Sequence, residues 1–415
     1  MPVRYLLVAS TFLLSMLLYV DRVCISAAKG AVTADLGLSD TQFGWVLSAF
    51  ALGYALLQTP AGVMADRFGP RRVLTAVVSV WSAFTGLTAL AQNLWSLVLA
   101  RFLFGAGEAG AFPGCARAFY AWLPMAERGL AQGINFSGSR LGAAFALPAV
   151  AAMIGALGWR PSFFILAAVG FVWAAAWYAW FRDDPAQHAG LSAAERALIL
   201  SSRQPQGATS LAPLRLGALL RAANMWLAMG QYFASNFTFF FCLTWLHPHL
   251  ASTYHLDPVW AGVYAGAPLV AGACGNWAGG ALVDHLYRRR RWRASRRAPA
   301  MLGFALAAAG LVASASADSA LGAVVALSVA VFGADMTLPP SWSFCIDIGG
   351  RHAGAVSGTM NMAGNLGSFA TGLAFPYLRA WTGSTVPFFM VGAALNALAI
   401  GAWALSTPDR AIEES

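Results

Sequence analysis

The chain has 415 residues, of which 59% are hydrophobic and only 10% charged, with a mean hydropathy of +0.62. A soluble domain carries about 25% charged residues, so the composition excludes a water-soluble globular fold and indicates a polytopic membrane protein. The formal net charge of +9 comes from 25 arginines and one lysine; it would suggest nucleic acid, but the placement of those residues points to a membrane instead.

Apolar runs long enough to cross a bilayer predict an all-α protein with twelve transmembrane helices. They fall at roughly 4–29, 42–64, 74–92, 95–118, 130–155, 161–181, 223–250, 258–283, 299–317, 320–344, 354–380 and 386–406. These make two pseudo-symmetric six-helix bundles, 1–181 and 223–415, joined by a cytoplasmic loop over 182–222. With the N-terminus inside, inner loops and helix ends hold twenty of the 26 basic residues, and the outer ones three: Lys29, Arg160 and Arg379. The remaining three, Arg22, Arg101 and Arg140, lie within the membrane. This asymmetry places both termini in the cytoplasm and sets the arginines at 288–291 beside anionic lipid. The first apolar stretch is too long for a signal peptide and lacks a small-residue cleavage site, so it reads as a retained helix.

In chain order, helix 1 is apolar until Tyr19-Val-Asp21-Arg22, an acid–base pair well inside the outer end. Helix 2 carries Tyr54 and Gln58 and runs into Gly62-Val-Met-Ala-Asp66-Arg67-Phe-Gly69-Pro-Arg71-Arg72, a tight, charged inner loop. Helix 4 holds Arg101-Phe-Leu-Phe-Gly-Ala-Gly-Glu108-Ala-Gly-Ala-Phe-Pro-Gly114. An ionisable group in hydrocarbon costs roughly 2.5–3.5 kcal/mol and marks a function by default. Arg101 and Glu108 are seven residues apart, so they share one helical face, with Asp21 expected between Arg22 and Arg101. The glycines and alanines from 105 to 111 offer a smooth surface for a packed neighbour. Gly105-Ala-Gly107-Glu-Ala-Gly110 also fits a dinucleotide fingerprint, but that needs a strand before it, and the flanks are one apolar run.

Helix 5 contains Asn135-Phe-Ser137-Gly-Ser139-Arg140, with Arg140 too deep to snorkel to the interface and therefore expected to face a cavity. A Gly/Ser/Pro/Gln-rich linker follows helix 6. Helix 7 supplies Gln231, Tyr232 and Asn236, helix 10 holds Asp335 ahead of Pro339-Pro340 and Trp342, and helix 11 is Gly-rich with Asn361 and Asn365. Pro-Pro is expected to bend helix 10 beside a cavity. The five cysteines have no paired spacing and read as packing residues. His247 and His249 lack an acidic or thiol partner, so no metal or other cofactor is expected.

The halves repeat. Gly62-x-x-x-Asp66 matches Gly280-x-x-x-Asp284 at an offset of 218, and Gly133, Leu141 and Gly142 match Gly358, Leu366 and Gly367 at 225, which sets Arg140 opposite Asn365. Such duplication marks transporters that bind substrate between the halves near the midplane. On this reading the charged groups belong to the first half, and the neutral amides and aromatics of the second complete the substrate fit.

Twelve helices in two halves, with the 62–72 loop between helices 2 and 3, resemble the major facilitator superfamily and its inner-gate motif. Tyr19-Val-Asp21-Arg22, Arg101…Gly107-Glu108-Ala…Phe112-Pro113 and Asp347-Ile-Gly-Gly…Asn361…Gly364-Asn365-Leu-Gly367 resemble the anion:cation symporter group, whose bacterial members carry sugar acids with protons. The resemblance implies Asp21 and Glu108 as proton-coupling acids and Arg22 and Arg101 as anion or coupling groups. Tyr54 falls at a substrate-contacting tyrosine, and Trp342 and Asn361 near second-half contacts. Arg140, Asn236 and Asn365 join these as substrate-binding candidates; Asp66, Arg67, Arg71 and Asp284 are the gate. Arg140 departs from the galactonate-type carriers and hints at a substrate with a second acidic or strongly polar end. The expected function is proton-coupled uptake of an organic anion, a hexonate, hexarate or hexuronate, at the bacterial inner membrane, by a carrier working as a monomer. A carrier of aromatic or other small monocarboxylates is the alternative, and a non-transporting sensor a lesser one. An enzyme would need a nucleophile–base pair or metal cluster at membrane depth, and none is visible.

Overall fold

A computed structural model describes residues 2–202, 216–256 and 258–412. The predicted Gly/Ser/Pro/Gln linker and the last three residues lie outside the described residues, as does the side chain of His247. All regular structure among the described residues is helical: α1 Val3–Ala27, α2 Lys29–Leu36, α3 Asp40–Phe68, α4 Pro70–Thr88, α5 Leu94–Glu108, α6 Ala111–Trp122, α7 Arg128–Leu157, α8 Trp159–Trp180 and α9 Ala193–Ser202 come first. Then follow α10 Leu216–Arg221, α11 Ala223–Thr244, α12 Leu246–Tyr254, α13 Pro258–Arg288, α14 Trp292–Ala315, α15 Ala320–Met336, α16 Leu338–Gly349, α17 Ala353–Thr382 and α18 Val386–Leu405. No strand precedes the glycines at 105–110, which lie at the end of α5 and in the turn after it.

The twelve spans are α1, α3, α4, α5 with α6, α7, α8, α11 with α12, α13, α14, α15 with α16, α17 and α18. Helix starts are fixed locally. Ser39 and Gln42 form a capping box on α3, and Asn93 and Ser96 one on α5, each satisfying backbone donors that have no intrahelical partner. Pro70 sits in the first turn of α4, after Gly69 at φ +80. Three spans are broken. The fourth, expected as one helix, stops at Glu108 and restarts at Ala111; the seventh stops at Thr244 and restarts at Leu246; the tenth stops at Met336 and restarts at Leu338, just before Pro339-Pro340.

The chain forms two compact units. One comprises residues 1–124, 142–214 and 349–362; the other comprises 125–141, 215–348 and 363–415. In the first, α3 and α5 approach so closely that Gly53 faces the Phe102 carbonyl and Gly105 the Phe50 carbonyl, with no room for a Cβ at either. The small-residue face of the fourth span thus packs as expected. Its core includes Cys24, Val46, Leu97 and Phe163. At the start of α1, Glu195 of α9 accepts hydrogen bonds from the Val3 and Arg4 amides, both 3.0 Å, and from Arg4 Nη1 at 3.1 Å, so it caps that helix. Burial pushes this carboxyl up, but those donors outweigh it and hold Glu195 below the usual glutamate range. The second unit has an aromatic core that includes Phe237, Phe241, Phe375, Phe388 and Phe389. His249 packs among these rings and pairs with Thr253 at 3.1 Å.

Candidate functional site

In the first unit, four ionisable side chains from two helices meet inside the apolar core. Asp21, Arg101 and Glu108 are 0%, 1% and 0% exposed, and Arg22 is half-buried. Glu108 is the last residue of α5, so its carboxylate stands where the helix ends. Arg22 Nε donates to Glu108 Oε2 at 2.8 Å. The Arg22 guanidinium also lies over the Tyr54 ring, 4.3 Å from its centre, and the Asn361 amide reaches the Tyr54 hydroxyl at 3.5 Å.

The rest of the cluster is under-partnered. Glu108 Oε1, Arg22 Nη2, Arg101 Nε and Nη1, and both Asp21 oxygens form no hydrogen bond with any described residue. Arg101 rests on the Phe104 ring at 4.3 Å, and the Trp81 indole N–H lies toward Asp21 without normal hydrogen-bond geometry. Asp21 was expected to bridge the two arginines; Glu108 is the acid that holds Arg22. The reason is geometric: Arg22 follows Asp21 on α1 and so points away from it, toward α5. A buried guanidinium fork without a carboxylate partner is suited to a planar oxyanion, which it can bind by two parallel charge-assisted hydrogen bonds.

In the second unit, Arg140 is engaged. Its Nε donates to Asp335 Oδ2 at 2.6 Å and its Nη2 to Oδ1 at 2.5 Å, with its guanidinium 3.5 Å from the centre of the Phe239 ring. The assignment of charged groups to the first half alone is therefore corrected: helix 10 supplies a buried acid, and the first segment of α7 packs in the second unit with it. Trp342 is buried there against Phe136, donating to the Tyr232 hydroxyl at 2.9 Å. Asn236 bonds back to its own helix at the Tyr232 carbonyl, 3.0 Å, and Asn365 is half-buried on α17.

The repeated Gly-x-x-x-Asp elements do the same job in each unit. Asp66 accepts from the Gly354 and Ala355 amides at the start of α17, at 2.9 and 2.8 Å. Asp284 accepts from Gly129 and Leu130 at the start of α7, both 2.9 Å. Each acid replaces a missing N-cap and faces the positive end of the helix macrodipole. Gly62 and Gly280 stand against the carbonyls of Gly354 and Gly129 and let the backbones touch. The arginine beside Asp66 is Arg117, at 3.7 Å. The expected gate arginines point elsewhere. Arg71 donates to the Tyr178 carbonyl at 2.9 Å and its amide bonds Asp183 at 2.8 Å, while Arg67 is exposed over Phe68.

Arg117 and Asp335 were missed as site residues, as was a fully buried triad in the second unit, where Asp347 accepts from Arg128 at 3.0 Å and Arg296 at 2.8 Å. For Asp335 a signal existed: it follows Glu108 by 227 residues, close to the repeat offsets. Among the described residues no group of three or more potential metal ligands occurs.

Residues 11–372 match the family model of the Major Facilitator Superfamily. A probable sulfoacetate transporter of Cupriavidus necator is 36% identical over 95% of this chain and 91% of its own length. A probable galactarate/D-glucarate transporter of Escherichia coli is 30% identical over 90% of this chain and 88% of the relative, and the hexuronate transporter of Bacillus subtilis 29% over the same shares. Among solved structures, the proton:xylose symporter XylE superposes with a TM-score of 0.75 at 14% identity, covering 99% of this chain and 98% of that one. The fucose:proton symporter FucP of E. coli gives 0.69 at 16%, covering 96% and 98%. These two likenesses show the fold.

Proposed function

Because the chain belongs to the major facilitator superfamily of membrane transporters, we propose that it is a proton-coupled carrier bringing a small organic anion, a sugar acid, across the bacterial inner membrane by alternating access. It works as a monomer with both termini in the cytoplasm. The reading rests on one observation above all: the buried cluster of the first unit holds two acids and two arginines, but a single hydrogen bond joins them, Arg22 to Glu108.

Such a cluster can exchange partners. An anion's carboxylate pairs with Arg101, with Arg22 or with both, and Glu108 or Asp21, left without its arginine, takes a proton. Tyr54 and Asn361 line the same neighbourhood and supply hydrogen bonds for hydroxyl groups. Asp66 and Asp284, by holding the first turns of α17 and α7, serve as catches of the inner gate. The relatives named as sugar-acid carriers support the substrate class. A short sulfonated acid is a second reading, favoured by the higher identity to the sulfoacetate relative and by the extra arginine, Arg140.

The test is uptake into proteoliposomes under an imposed proton gradient, over a panel of hexonates, hexarates, hexuronates, sulfoacetate and aromatic acids. A specific substrate should also raise the melting temperature by mass action. Glu108→Gln should accumulate substrate less steeply with the imposed proton gradient than wild type yet retain exchange against preloaded substrate, because a permanently neutral side chain cannot release a proton inside. Accumulation by that variant as steep as in wild type would remove Glu108 from the coupling step; accumulation of aromatic acids alone would overturn the sugar-acid reading.

A further inference from the structure

We propose that Asp335 is a second proton-carrying acid of the transport cycle, released from Arg140 when an acid group of the carried anion takes that arginine. The inference deepens the proposed proton-coupled function and rests on it.

Three observations support it. Asp335 and Arg140 are 1% and 4% exposed and joined in both directions of the guanidinium fork. A buried ion pair adds little stability over apolar residues of similar size, so a pair in the apolar interior of a membrane protein points to use. Asp335 is also the only charged residue of α15. It lies in the last turn before the chain breaks at Thr337, as Glu108 ends α5 before the break at 109–110. The repeat thus puts an acid beside the interruption of the same span in each half, where backbone groups leave the helical ladder and the side chain can reorient.

Among the described residues the cation paired with Asp335 is Arg140 of α7. The Cys242 thiol of α11 also lies within electrostatic range. From α13 the neighbour is Gly272, whose missing side chain makes the seat for Oδ2; α14 meets α15 through Gly303 against Gly333. When the anion takes Arg140, the carboxylate is left in an apolar seat without a partner. It then binds a proton from the side that is open, so the seat stays neutral overall. On release of the anion inside, Asp335 loses that proton and re-forms the pair with Arg140. One proton therefore moves at Asp335 in addition to the one at Glu108.

The experiment measures static-head accumulation in proteoliposomes at zero membrane potential against a series of imposed proton ratios, using the panel member that wild type accumulates. Wild type is expected to accumulate as the square of the proton ratio, and Asp335→Asn as its first power. In case Asp335→Asn, which takes the carboxylate from Arg140, fails to fold, Arg140→Gln/Asp335→Asn replaces the ion pair by a neutral one; it also removes the arginine that the anion takes, so it is measured at saturating substrate, where the static-head power does not depend on affinity, and is expected to show the first power as well. Second-power accumulation in the variant that folds, or first-power accumulation in wild type, overturns the inference while leaving a one-proton carrier in place. Absence of any proton-driven accumulation by wild type overturns it together with the reading on which it rests.

Discussion

Glu108 and Asp335 stand at corresponding places of the internal repeat, each at the end of a helix that breaks in mid-span, and each is buried beside an arginine. Their wiring is opposite. Asp335 is closed: both of its oxygens are held by one guanidinium. Glu108 is open: one oxygen is held, and Arg101 and Asp21 nearby have donors and acceptors to spare. A duplicated position therefore need not keep a duplicated role. An open cluster can receive a ligand as it stands, whereas a closed pair must first be broken, so binding at the two places differs in cost.

The largest effect that sharpens this contrast is on stability. Asp335→Ala leaves Arg140 buried without its carboxylate and should cost about 3–5 kcal/mol. Glu108→Ala should cost less, about 1–3 kcal/mol, because the cluster retains Asp21. Melting of the purified variants in detergent decides; equal losses would dissolve the distinction. Arg140→Asn, which leaves the Asp335 carboxylate buried without its guanidinium, should for the same reason destabilise nearly as much as Asp335→Ala.

Next is transport by Arg101→Lys. The ammonium keeps the charge but cannot form two parallel bonds to a carboxylate; a loss of about 2 kcal/mol, roughly 30-fold in uptake efficiency, is expected at normal surface expression. Wild-type uptake would mean that the open cluster does not bind the anion through this residue. Smaller again are the helix-start acids, which the repeat did keep alike. Asp66→Ala and Asp284→Ala should each cost about 1 kcal/mol, the usual worth of an N-cap. Asp66→Asn should raise accessibility of engineered cysteines from the cytoplasmic side; unchanged labelling would argue against a gating role.

The smallest effect concerns Glu195. Its pKa is lowered in the folded protein, so its contribution is complete above the unfolded value of about 4.3 and disappears as pH falls through the folded one. Glu195→Gln should therefore melt lower than wild type at neutral pH, and the two should converge as pH falls through the lowered pKa of Glu195. A constant gap across that range would show that the cap does not depend on charge.

Much of this was legible in the chain. Apolar length and the Gly62/Gly280 and Gly133/Gly358 repeats suffice to predict twelve spans in duplicate, and the rarity of charge at depth exposes Arg22, Arg101, Glu108 and Arg140. Partner choice was not legible, because it depends on side-chain direction across helices far apart in sequence. Asp21 looked like the bridge since it neighbours Arg22, yet adjacent residues on a helix point about 100° apart. Asp66 lies among Arg67, Arg71 and Arg72, but the guanidinium that reaches it comes from Arg117, 51 residues later. The break after Glu108 carries no proline at the gap itself; Pro113 comes only in the next helix.

The borrowed caps have a consequence for the order in which the chain is made. Synthesis runs from the N-terminus, and the Gly129 amide of α7 emerges 155 residues before Asp284, the acid that satisfies the first amides of that helix. Asp66 faces the reverse wait, finished long before α17 exists. Ribosome and membrane together must hold an incomplete intermediate in which one helix start lacks its acid and one acid lacks its helix start. Expressed alone, residues 1–181 would retain the first defect and residues 223–415 would carry a bare α17 start, so the two fragments should stabilise one another when produced together.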